Sequence, residues 1–251
     1  MSFARGLPPD VIHPLLFSWL MYKEVVMLTI PGMCWLCRMP LRVPDWGICS
    51  RCQRLRQIPV CPQCGLPAAC ETQPCGRCLQ KPPVWQRLLA ASEYAPPVSG
   101  LVHQFKFQGC TALAPALARL LLLKILATKR SGALPAADLL ISVPLHRTRA
   151  WRRGFNQSAL IARALSRWLG IRYAPDAVAR IKAAPPQRQL NARQRRSNLK
   201  NAFRVELPVA GLHIVIVDDV VTTGSTVARI ARLLKRNGAA TVQVWCLCRT
   251  L

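Results

Sequence analysis

The stretch His213–Thr226, HIVIVDDVVTTGST, constrains the fold more than any other part of the chain. The run from His213 to Val217 is apolar and β-branched, which predicts a strand buried on both faces. Two carboxylates, Asp218 and Asp219, follow it directly. The chain then turns through Thr222-Thr223-Gly224-Ser225-Thr226 into a helical pattern over Thr226–Asn237, with Ile230, Leu233 and Leu234 on one side. Lys235 and Arg236 stand in its last turn and Gly238 where a left-handed cap belongs. Upstream, Ala112–Ala127 reads as a long apolar helix and Leu139–Val143 as a buried strand ended by Pro144. Asn156–Leu169 reads as a helix with Leu160, Ile161, Leu165, Trp168 and Leu169 on its apolar side, and Thr241–Cys248 as another strand. Strands alternating with helices predict a parallel α/β sheet covered on both faces.

The acidic pair calls for an explanation, because the chain has ten acids against 35 Lys and Arg. In open α/β sheets ligands bind past the carboxyl ends of the strands. Two carboxylates there can accept hydrogen bonds from neighbouring hydroxyls or support a hydrated Mg²⁺. The Thr/Gly/Ser loop adds backbone N–H groups and hydroxyls at a helix N-terminus, a cradle for phosphate. Diol and phosphate recognition side by side fit a ribose 5-phosphate. The loop is not a P-loop, since no Gly-Lys-Ser/Thr follows, and its glycine spacing is not that of a dinucleotide fingerprint. A capped helix without a ligand would account for the Thr and Ser, but not for Asp218-Asp219.

Four Cys-x-x-Cys pairs precede this half: Cys34/Cys37, Cys49/Cys52, Cys61/Cys64 and Cys75/Cys78. Two such pairs make a closed tetrahedral thiolate site of the structural zinc type. The spacings between the pairs of each couple are nearly equal, which suggests a duplicated ribbon. Sequential pairing is the simplest arrangement, and interleaved pairing is the alternative. The segment has little apolar periodicity, so zinc would staple a region without a core. An iron–sulfur cluster is the lesser alternative. Cys70 falls outside the pattern, while Cys110, Cys246 and Cys248 lie in apolar contexts and read as core thiols.

The formal net charge is +25, and between Arg147 and Arg204 fifteen Lys or Arg face a single acid, Asp176. A one-sign field of this strength attracts polyanions, either nucleic acid or polyphosphate. No apolar run reaches the roughly 18–20 residues of a membrane span, and no secretory leader is evident. A cytoplasmic protein is expected, with cysteines used for metal rather than disulfides. Residues 1–26 read as an N-terminal extension or a miscalled start, with Met27 an alternative start. Residues 27–83 read as the ribbon, with QKPPVW (Gln80–Trp85) as linker, and 84–251 as the α/β domain.

The stretch around Asp218 resembles the phosphoribosyl-diphosphate (PRPP) motif of type I phosphoribosyltransferases. The resemblance implies that Asp218 and Asp219 hold the ribose hydroxyls, and that Thr222, Thr223, Gly224, Ser225 and Thr226 hold the 5-phosphate. SVPLHRTRAWRRGFNQS (Ser142–Ser158) and RQLNARQRRSNLKNAF (Arg188–Phe203) are similar to the ComF/GntX branch of that superfamily, as is the ribbon. That branch joins a double zinc ribbon, with four cysteines to each metal, to a Rossmann-like phosphoribosyltransferase domain, and is associated with competence and DNA utilisation. The resemblance implies a pyrophosphate loop at Pro144, Leu145, His146 and Arg147. Arg153, Gly154, Phe155, Asn156 and Gln157 match the branch signature, as do Gln187, Leu190, Arg195 and Asn198 in a basic loop. Ala184 departs from the Thr common in the branch. Thr222 stands where purine-salvage enzymes commonly carry an Asp that assists the incoming base, which argues against purine salvage.

The sequence thus points to PRPP with Mg²⁺ as ligand, zinc as structural metal, and single-stranded DNA or DNA-processing and uptake proteins as partners. If turnover occurs, diphosphate leaves C1 of the ribose. No residue stands out as a general base, and the acceptor is not legible. The alternative is a non-enzymatic single-stranded DNA-binding or processing factor that keeps the fold as a scaffold. Arg147, Arg149, Arg152 and Arg153 would serve either reading, on a leaving diphosphate or on nucleic-acid phosphates.

Overall fold

The computed structural model describes residues 32–43, 46–53, 58–145, 154–181 and 202–250. The expected extension over 1–26 lies outside them. Two short helices, α1 (Ser50–Gln53) and α2 (Gly76–Gln80), belong to the cysteine region. The α/β part runs β1 (Arg87–Glu93), α3 (Val98–Phe107), α4 (Leu113–Arg130), β2 (Leu139–Ser142), α5 (Gln157–Leu169), β3 (Arg172–Tyr173), β4 (Val178–Arg180), β5 (Phe203–Val205), β6 (His213–Val221), α6 (Ser225–Arg236) and β7 (Thr241–Arg249).

Five strands form one parallel sheet in the order β1-β7-β6-β2-β3. β4 and β5 pair antiparallel in a separate ribbon. Alternation along the strands divides the core in two. Leu140, Val215, Val217, Trp245 and Leu247 meet α3, α4 and α5 on one face. Ile141, Ile214, Ile216, Val242 and Val244 meet α6 and the β4–β5 ribbon on the other. The strongly apolar central strands are therefore covered on both sides, as their composition predicts. Trp168, counted with the apolar side of its helix in the sequence, stands in the last turn of α5 and is 45% exposed. Among the described residues no helix is long and apolar enough to cross a membrane.

The cysteine region folds as two similar knuckles. Cys34 N–H donates to the Met39 carbonyl and Cys61 N–H to the Leu66 carbonyl, each at 2.8 Å. Bridges at Met33–Pro40 and Val60–Pro67 close the two turns. Each knuckle then takes a different seat on the α/β part, the first on α4 and the second on β1 and the residues before it. The first contributes Cys34, Leu41 and Ile48 to the core on the α4 side. The second sits against Trp85 and Leu88, which belong to the core on the α6 side. A segment with too little apolar content for a core of its own thus borrows both faces of its neighbour, and its second knuckle takes up the Leu88 N–H on the edge strand β1.

Gly47 shows how close the first seat is. It has φ +64°, and a Cβ there would lie 2.5 Å from the Cβ of Ala116 on α4. Gly47→Ala combines a left-handed backbone with overpacking, so it is expected to lower stability by about 2–4 kcal/mol. Urea denaturation of the zinc-loaded protein is the check.

Candidate phosphoribosyl and zinc sites

The strand expected over His213–Val217 continues to Val221. Asp218 and Asp219 therefore lie within β6 rather than past it. β7 is equally long and pairs with β6 out to Val221↔Arg249, so the ladder does not stop at the acids. β2 is short, and its pairing with β6 ends at Ser142↔Val217, followed by Val143 N–H to the Val217 carbonyl at 3.0 Å. From Asp218 onward, β6 overruns β2. The connection after β2 runs through α5 on one face of the sheet, and that after β6 through α6 on the other. The crevice between the two strand ends is a topological switch point, where open α/β sheets take ligands.

Asn156 ties the rim of this crevice together. Its Nδ2 donates to the Val143 carbonyl at 3.1 Å, while its Oδ1 accepts from the N–H groups of Ser158 and Ala159 and caps α5. Phe155 packs on Phe105 with ring centroids 5.9 Å apart. The capped helix presents the Ser158 hydroxyl, which donates to Asp218 Oδ1 at 3.0 Å. Asp219 N–H donates to the same oxygen at 2.9 Å.

The two neighbouring acids have different partners, although both partners come from the α3–α5 side of the sheet. Asp219 is held by Lys106 of α3, whose Nζ stands 3.0 Å from Oδ1. Asp218 instead lines an open depression of about 210 Å³ together with Val220, Val221, Thr222, Gly224, Ser225, Thr226 and Val227. Burial, and next the charge of Asp219, push the Asp218 carboxyl up to about 7, against the smaller pull of its hydrogen bonds and of Lys106. Among the described residues Oδ2 of neither acid has a hydrogen-bond partner. Two adjacent carboxylates with one oxygen each left over are a donor set that would fit a hydrated Mg²⁺.

The loop after β6 is short. Gly224 has φ +73° and precedes the first residue of α6, Ser225, one position earlier than the sequence pattern placed the helix. Thr223 Oγ1 accepts from Ser225 N–H at 3.3 Å, and Thr222, Thr223 and Ser225 are exposed. Thr222, Ser225 and Thr226 thus bring their hydroxyls and the start of α6 to the depression that Asp218 borders.

The cysteines gather in sequential couples, Cys34/Cys37/Cys49/Cys52 and Cys61/Cys64/Cys75/Cys78, with all sulfurs of a cluster within 4.8 Å of one another. Tetrahedral zinc with bonds of about 2.3 Å places its sulfurs roughly 3.8 Å apart. Cys37 and Cys49 are 3.8 Å apart, and Cys64 and Cys75 are 3.7 Å apart. Backbone N–H groups reinforce the arrangement, from Cys49 to Cys34 Sγ and from Cys75 to Cys61 Sγ. Burial raises Cys34, but the N–H groups of Cys37, Cys49 and Leu36 outweigh it and bring the thiol down to about 6. Burial and the neighbouring sulfurs push Cys52 up to about 12. The second cluster repeats this contrast, with Cys61 brought down to about 7 and Cys78 raised. Four sulfurs this close cannot all ionise unless a cation sits among them, so both clusters fit structural zinc.

Residues 156–251 match the phosphoribosyl transferase domain family. The chain is 62% identical over 227 residues to the DNA utilization protein YhgH of Salmonella typhi, covering 90% of this chain and all of that one. It is 40% identical over 222 residues to competence protein F of Haemophilus influenzae, covering 86% and 96%. The chain belongs to the ComF/GntX family. A more distant relative, competence protein ComFC of Bacillus subtilis, is 26% identical over 223 residues, covering 82% of this chain and 86% of that one.

In this ComF/GntX chain Asp218, Thr222, Gly224, Ser225 and Thr226 line one depression, Asp219 and Thr223 are their neighbours in the chain but not among its lining residues, and Pro144 follows the end of β2. His146, Arg147 and Arg153, like Ala184, Gln187, Leu190, Arg195 and Asn198, lie outside the described residues. Three functional groups carried no assignment in the sequence. Ser158 belongs to the quoted signature, but its partner is 60 residues away. Lys106 interrupts the apolar face of a helix that the sequence pattern did not reveal. Arg249 is a basic residue at the end of a buried strand, and that contrast was the available signal.

The raised pKa of Asp218 fixes the sign of a pH effect. Its stabilising contribution is full below the ordinary value of 3.8 and is lost as pH rises through about 7. Asp218→Asn does not titrate in this range. In protein free of PRPP and Mg²⁺, its Tm relative to wild type is expected to rise by a few degrees between pH 5 and pH 8. Paired thermal melts across that range are the check, and a flat difference would contradict the buried-carboxyl account.

Proposed function

We propose that this protein binds PRPP with Mg²⁺ in the crevice between the ends of β2 and β6, in the service of DNA uptake or utilisation in the cytoplasm. The observation that carries this reading is the convergence of an acidic pair and a hydroxyl-rich helix N-terminus at one switch point. Asp218 and Asp219 take the ribose hydroxyls and would hold the Mg²⁺, which would screen the diphosphate charge. The loop Thr222–Thr226 takes the 5-phosphate through backbone N–H groups and side-chain hydroxyls. Lys106 offsets the charge of Asp219, so the pair presents fewer than two full negative charges to an anionic ligand.

Pro144 and Leu145 lead from the end of β2 into the basic stretch, and His146, Arg147 and Arg153 are assigned to the diphosphate. When an acceptor nucleophile attacks C1, the C1–O bond breaks and its electron pair leaves with the diphosphate. Arginines beside that group would stabilise the growing charge. The acceptor is the open part of the reading, and Thr222 in place of an acid supports one other than a purine base. Relatives named for DNA utilisation and competence support the biological setting, with single-stranded DNA and DNA-processing proteins as partners.

Calorimetric titration with Mg²⁺ and PRPP tests the site. Wild type is expected to bind saturably, and Asp218→Asn/Asp219→Asn to bind about a hundredfold more weakly. Absence of binding by folded, zinc-loaded wild type would overturn the reading. A salt-dependent shift of single-stranded DNA under the same conditions would then favour the scaffold role.

A further inference from the structure

The two zinc knuckles are alike in sequence and geometry, but they grip different parts of the protein. The first is seated on α4, through Gly47 against Ala116 and through Arg119, which donates to the Ile48 carbonyl at 3.4 Å and stacks over Trp46 at 4.3 Å. The second offers three consecutive carbonyls to the α/β domain. Pro62 accepts from Leu88 N–H at 3.0 Å, Gln63 from Trp85 Nε1 at 2.7 Å, and Cys64 from Arg249 Nε at 2.9 Å.

Two of these donors also shape the hydroxyl loop. Arg249 is buried, and its Nη1 donates to the carbonyls of Val221, Thr222 and Thr250. Val221 and Thr222 are where β6 becomes the loop. The Trp85 ring closes the other side, since a Cβ on Gly224 would lie 3.1 Å from its Cη2. One guanidinium and one indole therefore each touch both the second knuckle and the loop, the guanidinium with one bond to the knuckle and two to the loop. The Val221–Gly224 turn itself carries part of the stretch proposed to take phosphate.

We propose that Arg249 and Trp85 are positioning residues for the Val221–Gly224 loop, and that the second cysteine cluster, by fixing the Cys61–Gly65 knuckle, sets the order of that loop. The first cluster has no such role. A buried guanidinium shared between carbonyls of two segments loses its geometry if either segment moves. Metal loss at the second cluster thus loosens the phosphate cradle, and metal loss at the first loosens only the seat on α4. This inference rests on the PRPP reading for its functional meaning, but not for its test.

The test is hydrogen exchange of the full-length protein without ligand, read by mass spectrometry over peptides covering 221–228 and 113–130. Cys78→Ser removes one ligand of the second cluster without altering the knuckle itself, and Cys52→Ser does the same for the first. Cys78→Ser is expected to speed exchange at 221–228 by about tenfold, and Cys52→Ser to leave that peptide at the wild-type rate. Arg249→Met, with two zinc ions per chain still bound, is expected to reproduce the faster loop exchange and to weaken Mg²⁺–PRPP binding by about tenfold. Should Arg249→Met not fold, Trp85→Phe keeps a ring beside Gly224 but loses the bond to Gln63, and a smaller acceleration in the same peptide is expected. Unchanged loop exchange in the second-cluster and positioning variants would overturn the proposal, as would equal acceleration by both cluster variants. If wild type fails to bind PRPP, the functional reading falls by itself, and the exchange contrast still decides the coupling.

Discussion

The crevice exists because two neighbouring strands differ in length. β6 and β7 run for nine residues each, whereas β2 stops after four. From Ile214 to Val217 the central strand is flanked on both sides, and each of these residues is apolar and buried. One residue further on, the flank toward β2 is open, and a carboxylate can find partners there. Buried acids are costly without such partners. Both partners come from the same helical layer, Ser158 from the first turn of α5 and Lys106 from the last turn of α3. The order of this layer in turn depends on Asn156, which joins the end of β2 to the start of α5. Strand length, helix cap and acid pair are one construction.

The ribbon solves a separate problem of the same sheet. β1 is an edge strand of seven residues, and an uncovered edge invites pairing with another chain. The second knuckle takes up an edge group of β1, the Leu88 N–H on the Pro62 carbonyl, with a segment that needs metal rather than apolar mass. Duplication then allowed divergence. The first knuckle packs on α4, while the second reaches residues that touch the loop. A staple placed at a sheet edge next to the longest strands cannot avoid the end of β6, because β7 carries Arg249 across the gap between them.

Local patterns made much of this legible. The apolar run before Asp218 predicted a central strand, the spacing of eight cysteines predicted two metal clusters, and Gly238 marked the end of α6. The misses have physical causes. β6 runs on through the acids because ladder pairing with β7, not hydropathy, decides where a strand stops. β1 and α3 lacked a signal because their residues alternate little and their helix is short. β4 and β5 pair across a long stretch of chain, and three-residue strands have no period to read. Within the site, loop and acids are contiguous in sequence and were found together. Ser158, Lys106 and Arg249 act on them from other elements, and only the topology brings these side chains close.

The charge balance separates the crevice from the rest of the surface. A chain of net charge +25 attracts phosphates in general. A nucleic-acid backbone held by that field alone would be displaced steeply by salt, since each neutralised phosphate releases counterions. Carboxylates in the crevice work against such binding, because they repel a bare phosphate chain. They favour a ligand that presents hydroxyls, or that arrives with a divalent cation. The acid pair is therefore a feature that a general polyanion surface does not need. Its half-buried setting is screened less than the exposed lysines and arginines. Two anionic ligands on one protein, a sugar phosphate in the crevice and a nucleic-acid strand on the basic surface, would thus differ in salt dependence even where their affinities match.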